Sequence, residues 1–260
     1  MSSISETAVN TANTVENDTA SPTVTYAPIT VSPTSVTSPA TGCNKYINVT
    51  CADTSWTAGG GTSWCIIAKS TSTTAKITVT SNMASMNSST SARGMKVVCS
   101  NGPQTAWIDV SQEGNAYYDR SSMVTFYHQP PGACAFTCGA MCVHIPPETL
   151  IKQGVTSVPA DWNGIAKAGK MTATQIDYAN LQTVYNNLKS GYPVVTNING
   201  IYDKWHWVVI CEYHGDPAVL NHSNFYCLDP NKTTGEIIPL TSATNYDASQ
   251  LNSFTIVVFK

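Results

Sequence analysis

The sequence predicts a multi-domain protein, an all-β sandwich followed by an α+β domain. Its 260 residues are close to the length of two domains, since one domain takes about 150 residues. The first half contains short runs rich in Val, Ile and Thr, whereas the second half mixes helix-like and strand-like segments. Apolar residues make up 42% of the chain and charged residues only 11%. This composition supplies sizeable cores and leaves Ser, Thr and Asn to make the surface polar.

A flexible Ser/Thr-rich arm is predicted over residues 1–27. Residues 1–40 contain 16 Ser and Thr, four Pro and no Lys or Arg, a composition that favours extended or disordered chain. The start of the chain has neither the basic residues nor the apolar stretch of a signal peptide. We therefore expect no signal peptide, and a virion or extracellular location reached by an unconventional route.

The charge balance argues against nucleic-acid and membrane-surface partners. Glu6, Glu16 and Asp18 account for the whole net charge of -3, because the other 13 acidic residues match the 13 Lys and Arg. No basic excess remains to attract phosphate or anionic lipid. No apolar run approaches the roughly 18 residues of a spanning helix, so we also expect no membrane span.

Residues 28–115 predict a small antiparallel β-sandwich. Short runs bounded by Gly, Asn, Ser or Pro clusters are typical of strands at regular spacing; they are ITVSP, YINVTC, WCIIAKS, AKITVTSN, MKVVCS and AWIDVSQ. Trp56, Trp64 and Trp107 could form a sugar-stacking platform. In a sandwich, however, such aromatic residues are more often part of the core, and we interpret them so.

This segment resembles the BACON family, the Bacteroidetes-associated carbohydrate-binding modules found at the N-terminus of carbohydrate-active proteins. The motifs that carry the resemblance occur in order: ITVSPTSV, the pair Trp56 and Trp64, KITVTSN, ARGMKVV and AWIDVSQEG. The resemblance implies an immunoglobulin-like sandwich that acts as a spacer for a catalytic partner or binds a glycan.

Residues 116–260 predict an α+β domain. An apolar segment follows a Pro-Pro-Gly turn, and residues 174–188 carry apolar side chains at helical spacing up to a stop at Ser190 and Gly191. Strand-like runs follow, namely PVVTNI, HWVVICEY, NFYCLDP and FTIVVFK. Helices followed by strands indicate an antiparallel sheet packed against helices collected on one side.

Cys134 is the candidate nucleophile. Nine cysteines are present without a CxxC pair, and the second half holds five of them, an odd number that suggests a free reactive thiol. Cys134 falls in the first turn of the predicted helix, where the positive helix terminus lowers a thiol pKa. Cys138 and Cys142 follow on the same helical face, so the alternative is a stripe of three core cysteines.

His206 and Asp229 could complete a catalytic site with this thiol. His206 stands between two Trp residues at the start of an apolar strand, as a satisfied core residue or as a base facing the thiol. Asp229 ends the strand FYCLDP and could accept the second ring N–H of His206, although Asp-Pro is also a common turn device.

At these residues the second half resembles the papain-like clan, and most of all the bacteriocin-processing (double-glycine leader) peptidase family. The family's Cys-x-x-Thr-x-x-Ala-Met run matches the run that starts at Cys134, and GYPVVTNI, His-Trp-Val-Val and Tyr-x-Leu-Asp-Pro follow in order. The resemblance implies a papain-like fold with Cys134 as nucleophile, His206 as base, Asp229 as orienting acid and Gln129 as oxyanion-hole donor.

Cys138 is the alternative candidate for the nucleophile. Many relatives carry Cys followed by Gly, a dipeptide that here is Cys138-Gly139, whereas Ala135 follows Cys134. We prefer Cys134 because only that register places the Thr, Ala and Met of the family motif, and because it is closer to Gln129.

The function expected from these residues is that of a cysteine-type peptidase, a thiol-dependent hydrolase that cleaves a peptide or amide bond without cofactor or metal. The substrate would be a peptidoglycan stem peptide or a partner protein. The alternative is a non-catalytic structural or adhesion component of a large assembly such as a bacteriophage virion, with virion or surface proteins as partners. A zinc site made of Cys134, Cys138, His128 and His144 is a further alternative, and its spacing fits zinc poorly.

Overall fold

The computed structural model describes residues 24–199, 205–247 and 254–260. The arm predicted over residues 1–27 lies outside the described residues except for its last four positions. The described chain is mostly β-sheet with four α-helices, arranged as an all-β region followed by a mixed α/β region. None of the helices in these ranges is long and apolar enough to cross a membrane.

The all-β region consists of two four-stranded sheets. Its strands are β1 (Ile29–Ser32), β2 (Ser35–Ser38), β3 (Cys43–Cys51), β4 (Thr57–Gly59), β5 (Cys65–Lys69), β6 (Thr74–Val79), β8 (Arg93–Asn101) and β9 (Gln104–Gln112), with β7 (Ser88–Ser89) outside both sheets. The strand orders are β1-β3-β6-β5 and β2-β9-β8-β4. The expectation of an antiparallel sandwich holds except for β2, which pairs with β9 in parallel. Between β1 and β2, at Pro33 and Thr34, the chain passes from one sheet to the other.

The sandwich core follows the alternation of its strands. Inward-facing aliphatic side chains of both sheets pack around Trp56, which is buried and donates its indole N–H to the Ser72 carbonyl at 2.7 Å. Trp64 is half-buried under the Arg93 guanidinium, 4.5 Å from the ring centroid. Trp107 departs from the core interpretation, because it lies on the outward face of β9 and is 52% exposed.

The mixed region is built on one large antiparallel sheet. Its elements are β10 (Ala116–Asp119), α1 (Cys134–Val143), α2 (Pro147–Lys152), α3 (Trp162–Ala168), β11 (Ala173–Ala179), α4 (Leu181–Lys189), β12 (Val194–Asn197), β13 (Trp207–Gly215), β14 (Phe225–Leu228), β15 (Ile238–Pro239) and β16 (Phe254–Phe259). The order β11-β16-β12-β13-β10-β7 forms its main path, and β14 pairs with β13 and β15.

Helices cover both faces of this sheet, and in this respect the structure differs from the arrangement expected from the sequence. Helices α1, α2 and α3 pack with Val195, Val209, Val257 and Phe259. Helix α4 packs with the alternate residues of the same strands, Val194, Val208, Ile210, Ile256 and Val258. Because successive strand residues point to opposite faces, continuous apolar strands need cover on both sides.

The helix predicted over residues 174–188 is half wrong. Residues 173–179 form β11, which pairs with β16, and the helix α4 begins only at Leu181. Asn180 ends the strand and caps the helix, since its side chain accepts from the Thr183 N–H at 3.0 Å. Strand pairing across 80 residues decides the conformation of this segment, which periodicity within the segment does not reveal.

The two regions are joined by more than the connecting chain. The short strand β7, which belongs to the sandwich segment, pairs with β10 at the edge of the large sheet. Next to it, the side-chain oxygen of Asn87 accepts from the Asp119 N–H and from the Arg120 guanidinium. The sandwich therefore contributes an edge strand to the sheet that carries the site described below.

Candidate active site

Cys134 is the first residue of α1, as the sequence predicts. The turn before it is closed by a hydrogen bond from the Ala133 N–H to the Pro130 carbonyl at 3.1 Å, and Gly132 takes a positive φ of 76° within it. From Phe136 onward every residue of α1 is buried, while Cys134 is half-buried. The apolar body of the helix thus anchors it in the core and leaves its N-terminus, with the thiol, at the surface.

His206 lies beside this helix terminus and is buried. Its backbone is held by the end of the β12–β13 ladder, where its carbonyl accepts from the Ile198 N–H at 2.9 Å. Its ring atom Nε2 is 2.7 Å from Oδ1 of Asp229. On its other side the ring lies near enough to the Cys134 thiol for each group to shift the pKa of the other. Because Nε2 is paired with the carboxylate, Nδ1 is the ring nitrogen left to exchange a proton with the thiol.

Asp229 directly follows β14 and is buried in the turn that ends it. Besides the His206 ring, its carboxylate accepts the Asn231 N–H at 2.9 Å and the Thr244 N–H at 2.8 Å. Burial opposes the charged form, but these hydrogen bonds outweigh it and hold the pKa of Asp229 well below its usual range. The carboxylate therefore stays ionised beside the imidazole.

The thiol and the imidazole shift each other's pKa in the directions needed for an ion pair. Burial lowers the pKa of His206, but hydrogen bonds with Asp229 and Cys134 outweigh burial and raise this pKa to about 9. Burial raises the pKa of Cys134, yet the contact with His206 and a hydrogen bond from the Trp207 backbone amide lower it overall. Both shifts act in the direction that favours transfer of the thiol proton to the imidazole.

Cys138, the runner-up nucleophile, lies one helical turn further into the core. It is buried, and its thiol donates to the Trp207 carbonyl at 3.3 Å. Burial raises its pKa well above the usual value. Cys142 continues the same stripe, and burial raises its pKa to about 12. Both thiols fit the core interpretation, whereas Cys134 alone of the three contacts the imidazole.

Gln129 lies on the segment that leads into α1 and is tied to the turn that carries Asp229. Its backbone N–H donates to the Pro230 carbonyl at 2.9 Å, and its side-chain Nε2 donates to Oδ1 of Asn231 at 3.4 Å. Its Oε1 is buried and has no hydrogen-bond partner within the described ranges. The structure thus places all four predicted site residues in one region, with Gln129 held against the acid's side of the site.

The residues of the zinc alternative are not brought together. Cys134 and His144 lie at opposite ends of α1, about 15 Å apart for ten residues at 1.5 Å each. The His144 ring is paired with the Thr125 hydroxyl at 2.7 Å, and the His128 ring N–H donates to the Lys232 carbonyl at 2.9 Å. In the described ranges no cluster of three or more His, Cys, Asp or Glu side chains could hold a metal.

A cavity of about 190 Å³ opens beside the thiol. Its wall combines the start of α1, the loop before α3 and the two Trp residues that flank His206: Gly132, Ala133, Cys134, Ala135, Phe136, Ser157, Val158, Pro159, Ala160, Trp205 and Trp207. None of the described residues that line it carries a charged side chain. The cavity has the size and polarity to receive one uncharged side chain next to the reactive sulfur.

Two groups of site residues were not found from the sequence. Asn231 and Thr244 hold the Asp229 carboxylate, and residues 157–160 line the cavity. An Asp-Pro-Asn turn was a usable signal for Asn231, since Asp side chains often bond to a backbone N–H two residues on. Nothing local distinguishes Thr244 or the loop, because only folding brings them to the site.

No family model, curated protein or solved structure matches this chain.

Proposed function

We propose that the protein is a thiol-dependent peptidase or amidase that cleaves a peptide bond through Cys134, His206 and Asp229. One observation carries the proposal: the His206 ring lies between the Cys134 thiol and the buried Asp229 carboxylate. The distance from its Nε2 to Oδ1 of Asp229 is 2.7 Å. A nucleophile, a base and a group that orients the base are the parts that covalent acyl transfer requires.

The first step forms an acyl-enzyme. His206 Nδ1 takes the thiol proton, and the thiolate of Cys134 attacks the carbonyl carbon of the scissile bond. The backbone N–H of Cys134, one of the unpaired N–H groups at the start of α1, and the Gln129 amide donate to the oxyanion. Loss of one such donor typically reduces the rate by about two to three orders of magnitude.

The second half of the reaction restores the enzyme. The His206 imidazolium gives its proton to the leaving amine, and the C–N bond breaks to leave a thioester on Cys134. His206 then accepts a proton from water, and the hydroxyl oxygen attacks the thioester carbonyl. The C–S bond breaks to release the carboxylic acid, and the Cys134 sulfur takes the proton back from His206. Asp229 holds the imidazole in the required orientation throughout and stabilises its charged form.

The arrangement also supports a papain-like fold for the second domain. A thiol at the N-terminus of a buried helix faces His and Asp residues on an antiparallel sheet, as the resemblance of the sequence motifs implies. The immunoglobulin-like sandwich in front of it is interpreted as a BACON-like module that presents this domain. The β7–β10 pairing supports a presenting role, and Trp107 is one of the exposed aromatic residues that glycan binding would use.

The proposal is tested by trapping the acyl-enzyme. p-Nitrophenyl acetate, an ester that needs no specific pocket, should release a stoichiometric burst and add one acetyl group to the Cys134 peptide in the mass spectrum. Cys134→Ala should abolish the burst, whereas Cys51→Ala, at a half-buried thiol of the sandwich, should retain it. The same pair of variants should differ in the same way in cleavage of a mixed peptide library.

The absence of both acetylation and peptide cleavage would count against the proposed enzyme. A wild-type chain that is not acetylated at Cys134 and cleaves no peptide would overturn the proposal. The non-catalytic alternative, a structural component of a large assembly such as a virion, would then account better for the protein. Stable co-purification with such a particle would be its positive test.

A further inference from the structure

Asn231 contacts both sides of the candidate site, although nothing in the proposed reaction assigns it a role. Its backbone N–H donates to Oδ1 of Asp229 at 2.9 Å, while its side-chain Oδ1 accepts from Nε2 of Gln129 at 3.4 Å. Its side-chain Nδ2 reaches the Thr244 hydroxyl at 3.5 Å. One exposed residue thus links the proposed oxyanion donor to the turn that carries the acid.

The Gln129 side chain depends on this contact for its orientation. A buried amide oxygen normally has a partner, yet Oε1 of Gln129 is buried without one among the described residues. Within that part of the chain, no contact at the oxygen fixes the rotation of the amide group. A primary amide has two N–H donors. If Asn231 accepts one of them, the other remains free to donate to a developing oxyanion.

Contacts that do not involve the Asn231 side chain hold the segment of Gln129 against the turn that carries Asn231. The Gln129 N–H donates to the Pro230 carbonyl at 2.9 Å, and the His128 ring donates to the Lys232 carbonyl at 2.9 Å. The turn itself is closed by the Lys232 N–H on the Asp229 carbonyl at 3.1 Å. These contacts place Gln129 opposite Asn231 without using the Asn231 side chain, so a substitution at Asn231 removes only that side chain's contacts with Gln129 and Thr244.

We propose that Asn231 is a positioning residue: its side-chain carbonyl holds the Gln129 amide so that the second N–H of that amide points at the oxyanion. The inference rests on the proposed function. Contacts of 3.4 Å are long for hydrogen bonds, and such contacts in a free enzyme tighten when the transition state forms. The role of Asn231 is to limit the orientations of an amide that would otherwise rotate.

Two reagents separate this role from a general effect on the thiol. Acetylation of Cys134 by p-nitrophenyl acetate passes through an oxyanion and needs the Gln129 amide. Alkylation by iodoacetamide displaces iodide without an oxyanion and reports only the thiolate and its access. The ratio of the two rates is therefore a measure of the oxyanion donors that does not depend on the natural substrate.

Three variants complete the experiment. Asn231→Leu removes the acceptor at similar volume and should slow acetylation about tenfold, part of the loss expected for a missing donor, with alkylation unchanged within about twofold. Asn231→Asp keeps an oxygen acceptor and should restore acetylation to within about threefold of wild type. Asn163→Leu, an exposed position on α3, should leave both rates unchanged.

The outcomes are distinguishable. If Asn231→Leu leaves acetylation unchanged, the positioning role is overturned, because the side chain has no effect on the oxyanion donors. If it slows acetylation and alkylation equally, the role is also overturned, because the residue then acts on the thiol through the His206–Asp229 pair. If Asn231→Asp is as slow as Asn231→Leu, the acceptor role is wrong. If the wild-type thiol is neither acetylated nor alkylated ahead of the buried thiols, the proposed function fails and this inference falls with it.

Discussion

The Nε2 atom of His206 lies 2.7 Å from Oδ1 of Asp229, and the two side chains are 4% and 0% exposed. A buried carboxylate beside a buried imidazole is stable only if further hydrogen bonds satisfy it. Backbone N–H groups from Asn231 and Thr244 supply them. The pair thus holds the ring in one orientation and leaves Nδ1 as the nitrogen for proton exchange with the thiol.

Asp229→Asn should move the alkaline limit of activity downward. The pKa of His206 is raised to about 9. The stability contributed by its charged form is therefore fully present below about pH 6.5, the usual pKa of histidine, and is lost as the pH rises through about 9. Without the carboxylate the limit should move towards pH 6.5, which reduces the charged fraction at pH 8 by up to about 30-fold. Rates of p-nitrophenyl acetate turnover between pH 5 and 10 measure this, and an unchanged alkaline limb would contradict it.

Iodoacetamide at pH 7 should label Cys134 at least about 100-fold faster than Cys65 or Cys227. Burial raises the pKa of both comparison thiols, whereas that of Cys134 is lowered, and the thiolate is the reactive form. Peptide mapping by mass spectrometry gives the rates. In denaturant the difference should disappear, and equal labelling of the folded protein would show that the thiol is not activated.

Val158→Asp should change which substrate side chain is preferred. Val158 lines the uncharged cavity beside Cys134 and is 69% exposed, so the substitution is tolerated by the fold and adds a negative charge where a substrate side chain would lie. Cleavage of peptides with a basic residue should increase at least about tenfold relative to aliphatic ones.

The matched control for this specificity change is Val219→Asp, at a similarly exposed position (64%) that does not line the cavity. Profiles from a positional peptide library compare the two variants. The cavity would be excluded as a substrate pocket if both variants kept the wild-type profile or shifted it equally.

Gly139→Val should destabilise the helix that carries the thiol. A Cβ at Gly139 would lie 2.9 Å from Ile165 and 3.2 Å from Trp162, both on α3, and such overpacking costs about 1–3 kcal/mol. Gly59→Val is the control, since a Cβ there meets nothing within 4 Å and valine suits a strand. Thermal unfolding should show a midpoint lowered by several degrees for Gly139→Val alone, and equal midpoints would rule out this close packing.

The predictions from sequence succeeded where the signal is local and failed where pairing is remote. The start of α1 at Cys134 was predicted, because a Pro-Pro-Gly turn and an apolar run stand side by side. The strand at residues 173–179 was predicted as helix, since its partner β16 is 80 residues away. Trp107 was assigned to the core, although alternation with the buried Ile108 places it outside.

The sequence by itself determined the two-part organisation, the short strands of the sandwich and the chemical types available for a reaction, because composition and alternation are local properties. Only the tertiary structure decided which thiol contacts an imidazole. Cys134 and Cys138 are four residues apart on one helix, yet one meets His206 at the helix terminus while the other is enclosed in the core. Burial raises the pKa of Cys138, whereas the contact with His206 lowers that of Cys134. Both surroundings exist only once the chain has folded.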